Sequence, residues 1–214
     1  MGFIGVQPAT VPLTSSDITD GIISTAKIAD DAITSAKLPQ GSVIQVVQTT
    51  KTDTFSSNET TNFIDLTGMT VSITPTSTTN KIFIMYSLNT GIVGGGYGFL
   101  IKLLRGSTEI ARGDQDGSNR VRVTTVAQSA SSSYPIFLQA MNFLDSPATT
   151  SATTYKLQGR GWNSGAGNFY INRSEADGDT LSYGRPISTI TAMEIVHDSW
   201  SYIFIICRRS INKW

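Results

Sequence analysis

Large aliphatic residues recur every five positions near the start of the chain, at Leu13, Ile18, Ile23, Ile28, Ile33 and Leu38. A ten-residue repeat is nested in that spacing. Asp20 to Ala29 and Asp30 to Pro39 share an aspartate, a central isoleucine, a Ser/Thr pair and Ala-Lys-aliphatic at one phase. Neither regular element buries such a series. Five residues turn a helix by roughly 140°, which scatters the six side chains around its axis. On a strand an odd step sends alternate residues to opposite faces. Identical chains wound about a common axis bury all six, because each winding brings the next residue inward. The alternative is a short helix from about Asp17 to Leu38, with Ile22, Ala26, Ala29, Ile33 and Ala36 on one face. Either way the segment is too thin for a core of its own, so it docks on another surface or on copies of itself.

The texture changes after Pro39-Gln40-Gly41. Val43 to Gln48 is β-branched and reads as a strand. Phe63 to Leu66 and Met69 to Ile73 alternate apolar with polar and are joined at Thr67-Gly68. Lys81 to Leu88 is apolar at both parities, which predicts a central strand buried on both faces. A glycine-rich turn at Gly91 to Gly98 leads to a second buried strand, Phe99 to Leu104. Further strands are predicted at Val121 to Val126, Ile136 to Leu144, Thr153 to Gln158, Asn168 to Asn172 and Ile190 to Ile195. With nine or ten strands and no helical pattern between them, the fold class is mainly β, an antiparallel sandwich or jelly roll.

The two ends differ from this. Residues 1–16 carry Phe3, Ile4 and Val6 among Pro8 and Pro12, an extended segment that reads as an anchor lying on another surface. Ser199 to Cys207 is the most apolar stretch of the chain, and Arg208-Arg209 follows it. Bare in water it would aggregate. It must be buried as a final strand or in a subunit interface, and the interface is the favoured reading. The expected organisation is an anchor arm at 1–16, a repeat stalk at 17–40, a sandwich head at 41–198 and an apolar strand and tail at 199–214.

Composition narrows the function. Sixteen basic and sixteen acidic residues cancel, so no basic field draws the chain to nucleic acid. Charged residues make up 15%, against roughly 25% in ordinary soluble proteins. Hydroxyls and amides take their place, as in many extracellular β-structures. One cysteine, Cys207, excludes an intrachain disulfide framework and disfavours a cysteine-based zinc site. The N-terminus has no signal-peptide pattern, and Val6 argues against myristoylation of Gly2. The longest apolar run is far shorter than the roughly 20 residues that cross a bilayer, so no membrane insertion is expected.

Candidate chemistry is sparse. His197 stands beside Asp198, but neighbours on a strand face opposite ways, against the geometry of a catalytic triad. Asp114 to Asn119 starts like a calcium loop and then fails, with Asn119 and Thr125 where such a loop needs glycine and glutamate. Arg112-Gly113-Asp114 reads as a hairpin tip, and Gly94-Gly95-Gly96 lacks what a phosphate loop requires. No cofactor, metal or catalytic residue is expected. For ligand binding the best stretch is Arg160 to Asn168. There an exposed Trp162 would stack on a sugar ring, with Arg160, Asn163 and Asn168 hydrogen bonding to it. Tyr97 is a lesser candidate, and an inward Trp162 is the competing reading.

The tandem Asp-x-x-Ile-Thr/Ser-x-Ala-Lys-Ile/Leu units resemble repeats in bacteriophage tail fibres. Gly2 to Gly5 and the prolines after it resemble the N-terminal anchors of such fibres. Phe63 to Pro75, Leu103 to Ile110, Leu144 to Tyr155 and Tyr170 to Arg173 resemble a recurring β-domain of marine-phage virion proteins. The strand series is also similar to trimeric jelly rolls of the tumour-necrosis-factor and C1q type. The resemblance runs to about residue 195. It implies a homotrimeric, non-enzymatic virion component made in the host cytoplasm. Its partners would be other tail or capsid proteins and, for a short tail fibre, host cell-surface polysaccharide. A capsid decoration or cement protein, its arm lying on the capsid, is the alternative.

Overall fold

The computed structural model describes residues 23–24, 28–29, 32–34, 37–92, 98–128, 135–162 and 168–197. The chain divides into two compact units, Met1–Leu38 and Pro39–Trp214. In the first unit Ala32 donates its N–H to the Ala29 carbonyl, and Lys37 donates to the Thr34 carbonyl. Three of the five-spaced aliphatics can be placed there, and all are exposed: Ile23, Ile28 and Ile33 at 51%, 40% and 57%. Leu38 is half-buried. Leu13, Ile18 and the anchor positions Phe3, Ile4, Val6 and Pro8 lie outside the described residues, as does the segment 198–214.

The second unit holds eleven strands among the described residues. They are β1 (Val43–Lys51), β2 (Phe55–Ser57), β3 (Ile64–Ile73), β4 (Lys81–Ile92), β5 (Gly98–Arg105), β6 (Thr108–Ile110), β7 (Thr125–Gln128), β8 (Ile136–Asp145), β9 (Thr153–Gly161), β10 (Phe169–Ile171) and β11 (Ser188–Ile195). Every pairing is antiparallel. In the first sheet β4 carries β8 on one edge; β11 and then β10 share the other, with β1 outside β11 and β2 outside β10. In the second, β3 pairs β9 and β9 pairs β5, whose far edge is shared by β6 and β7. Two layers of antiparallel strands make a jelly-roll-like sandwich, the fold class expected.

The core lies between the layers. Ile82, Ile84, Tyr86 and Leu88 of β4 face Val71, Ile101, Leu103 and Leu157 of the second sheet, all nearly or fully buried. Fully burying one such side chain stabilises the fold by about 1.5–3 kcal/mol. Phe99 and Phe169 stack across the layers at 4.2 Å. Gly159 leaves room for that stack, since a Cβ there would sit 2.4 Å from the Phe99 ring. Polar ties close the ends. Asp145 on β8 accepts from Arg105 and from the Tyr155 hydroxyl at 2.7 Å. Asn172, left-handed at φ 59°, donates from its amide to the Lys51 and Asp53 carbonyls and accepts from Ser188.

Several strand expectations need correction. Thr67-Gly68 does not separate two segments; β3 is continuous. Gly68, at φ 84°, sits in an irregularity where the register advances from Asp65 to Thr70 against Gln158 to Lys156. Of Val121 to Val126, only the stretch from Thr125 belongs to a strand. Residues 111–124 form a loop instead, closed by Gly113 donating to Val123 and Arg122 donating to Gly113. Gly91 belongs to β4, which runs to Ile92, and the rest of the predicted turn up to Tyr97 lies outside the described residues. Strand β4 is also not buried on both faces. Its pattern alternates, with Met85 40% exposed between two buried neighbours.

Candidate functional site

Period-two geometry puts Lys156, Gln158 and Arg160 of β9 on the outer face of the second sheet. Trp162 follows one residue after the strand. A cleft of about 430 Å³ opens there, lined by Leu100, Asn119, Val121, Arg160 and Trp162. Trp162 donates its backbone N–H to the Gly98 carbonyl at 3.1 Å. Its indole lies flat against Gly98, where a Cβ would come within 2.6 Å of the ring. The residue is 38% exposed, neither core nor fully open.

Arg160 is turned along the sheet. Its Nη1 donates to the Thr60 carbonyl and, at 3.3 Å, to the Gly161 carbonyl. Its guanidinium lies 5.2 Å from the Phe63 ring, and Lys102 covers the same ring at 3.9 Å. Among the described residues, Nε of Arg160 is buried without a hydrogen-bond partner. Glu59 accepts from the Asn62 and Thr61 N–H groups; these bonds, with a smaller pull from Arg160, hold its carboxyl below the ordinary glutamate range. Asn168 is exposed, just before β10. Tyr97 and Asn163 lie outside the described residues. The structure thus brings Arg160 and Trp162 to one cleft and adds Leu100, Asn119 and Val121, which sequence reasoning missed. Asn119 appeared there only as the failure of a calcium loop.

This outer face is otherwise ion-paired. Lys156 donates to Asp65 at 2.8 Å and Gln158 donates to the same carboxylate at 2.7 Å, which lowers the Asp65 pKa. Lys102 pairs with Glu109.

The outer face of the first sheet is built differently. Cross-strand register aligns Val46, Met193, Phe83 and Leu144 in one row over β1, β11, β4 and β8. The next row is Gln48, Thr191, Met85 and Asn142. Val46 is 57% exposed and Leu144 51%. A cleft of about 320 Å³ runs beside them, lined by Gln48, Met85, Ser87, Asn142 and Thr189 among others. Lys81, donating to Ser146 at 2.6 Å, is the charged residue among the described outward positions of these four strands. The sheet's other charges point inward: Lys51 beside Gly68, Asp145 to Arg105, and Glu194 accepting from Thr76 and Asn80. A signal for this face was present in the sequence, since Phe83 and Met85 are what made Lys81 to Leu88 look buried on both sides.

The other motifs are structural. The backbone N–H of His197 donates to Asn80 at 3.2 Å. Asp116 pairs with Arg120, and Asp177 is held by Arg173 and Arg185. Among the described residues no group of three or more His, Cys, Asp or Glu is placed to hold a metal ion.

No protein-family model matches the chain, and no curated protein matches it. Solved structures of infectious bursal disease virus do. The Gx strain matches over 72% of this chain and 38% of its own, at 15% identity and TM-score 0.38. The VP2 subviral particle matches over 72% and 42%, at 15% identity and TM-score 0.34. The virus-derived T=1 particles match over 72% and 40%, with the same identity and score. This chain spans about two fifths of the length of those it matches.

Proposed function

We propose that the protein is a non-enzymatic structural component of a virus particle, of the bacteriophage kind, with residues 1–16 as its anchor and 17–40 as a connecting stalk. Residues 41–198 then form the head. One observation carries the reading. Ile23, Ile28 and Ile33 stand exposed in the N-terminal unit, and a series of exposed aliphatics is the mark of a surface that docks on a partner. A trimer wound about its axis supplies that partner within the assembly, and a particle surface supplies it from outside.

A capsid decoration or cement role fits best. The head's largest polar anchor for a sugar, Arg160, has its guanidinium turned onto backbone carbonyls and Phe63. A short tail fibre binding host glycan is the second reading, supported by the half-open indole of Trp162 in its cleft. Imaging the particle separates the two. Density at capsid symmetry positions is expected, and density confined to the tail overturns the decoration role. For the fibre, loss of binding to host polysaccharide in Trp162→Ala is the matching result. Sedimentation tests the stalk: a trimer at micromolar concentration is expected, and Ile28→Ser with Ile33→Ser loosens it while the head stays folded. A monomeric native chain contradicts the stalk.

A further inference from the structure

The outer face of the first sheet and the C-terminal segment are two apolar surfaces of one chain that both need covering. Val46, Phe83, Met85, Leu144 and Met193 form the face. Trp200 to Cys207 is the segment; like those five residues, it carries no charge, and Arg208-Arg209 follows it directly. The end of β11 fixes where the chain leaves. Val196 donates to the Ser42 carbonyl at 2.9 Å and accepts from the Gly41 N–H at 2.8 Å. His197 donates to Asn80 at 3.2 Å. The exit therefore lies beside the starts of β1 and β4, where Ile195 pairs Lys81, one outward row from Met193 and Phe83.

Lengths agree with this placement. Asp198 and Ser199 reach about 7 Å, the distance between successive outward residues of a strand. Four strands spaced about 4.8 Å apart put β8 about 14 Å from β1, and eight extended residues span about 26 Å. Trp200 to Cys207 is long enough to cross the whole patch and deliver Arg208-Arg209 past the β8 edge into water. A tether this short holds the segment near its own sheet at roughly millimolar effective concentration, well above the supply of second copies in a dilute solution.

We propose that Trp200 to Cys207 lies across the outer face of the first sheet of its own chain, covering Val46, Phe83, Met85, Leu144 and Met193. The covering concerns the head's own packing and holds wherever on a particle the protein sits. Cys207 is the chain's one cysteine, so it reports the placement directly. Cysteines introduced one at a time in the full chain by Gln48→Cys, Ser87→Cys and Asn142→Cys sample β1, β4 and β8 on this face. Thr70→Cys and Ser72→Cys sample the outer face of the second sheet. After mild oxidation with glutathione disulfide, non-reducing electrophoresis and peptide mass mapping are expected to show both thiols lost within the monomer band. That loss should occur for at least one first-sheet variant and for neither second-sheet variant. Disulfides only between chains would mean that a second copy covers the face, and would overturn the proposal. So would the absence of any cross-link on the first sheet, or equal cross-linking on both.

Discussion

The two sheets of the sandwich share one core and have opposite outer faces. Outside the second sheet, Asp65 pairs with Lys156 and Glu109 with Lys102 at a partly exposed surface, and two cations cover Phe63. Outside the first, Val46, Met193, Phe83 and Leu144 form an uncharged row, and the charges of that sheet are turned inward. Exposed ion pairs contribute little to stability and much to solubility. A contiguous apolar row on a sheet with open edges does the reverse. The two faces therefore meet water differently, the second through ion pairs and the first through an uncharged apolar row flanked by hydroxyls and amides.

The strongest way to break the comparison is to give the first face what the second has. Phe83→Lys should cost about 2–3 kcal/mol, since it puts an ammonium under whatever covers the row. Thr70→Lys on the second face should stay within about 0.5 kcal/mol. Denaturant midpoints compare the pair, and equal effects would mean that both faces are solvated. Next comes Gly98→Ala, in which the new methyl meets the Trp162 indole. About 1–2 kcal/mol should be lost, with a change in tryptophan emission as the ring is displaced.

Tyr86, the inward neighbour of Met85, gives a pH test. Burial pushes its phenol up to about 12, with a hydrogen bond to Thr125 opposing part of the rise. A raised folded pKa means that the contribution is complete below about pH 10 and is lost as pH climbs through 12. The loss is roughly 1 kcal/mol by about pH 11. Tyr155, raised by burial and by Asp145, acts in the same direction. Tyr86→Phe should flatten the alkaline slope; an unchanged slope would remove Tyr86 as its cause. The smallest effect belongs to the second face. Lys156→Ala should cost at most about 0.5 kcal/mol at neutral pH. Because the Asp65 pKa is lowered, that difference should vanish as pH falls through the folded value.

Most of the sandwich is legible in the sequence, because alternation states strand direction and parity. Six of the seven strands of eight or more residues fall where β-branched and aromatic runs place them, and the seventh, β3, reads as two pieces. What alternation leaves open is which parity is covered, and by what. Ile82 and Phe83 look alike as residues, and only the stacking of the second sheet on the even side of β4 separates them. Strands β2 and β6, three residues each, are too short to carry a period. Gly68 reads as a joint because glycine marks both turns and bulges, and its partner strand β9 lies some ninety residues away. The site is harder still. Arg160 and Trp162 stand out as types, but the orientation of Arg160 depends on Thr60 and Phe63, and that of Trp162 on Gly98. Asn172 ties β1 and β11 to the end of β10 through one left-handed residue, and nothing in its sequence neighbourhood announces it.

The central claim is that the outer face of the first sheet is covered in the intact protein. The oxidation rate of Met85 in the full chain under dilute peroxide, followed by peptide mass mapping, tests it most directly. Met69, fully buried in the core, supplies the slow reference, and a methionine in an unstructured peptide supplies the fast one. A covered face predicts that Met85 oxidises nearly as slowly as Met69. Oxidation at the free-peptide rate would contradict it.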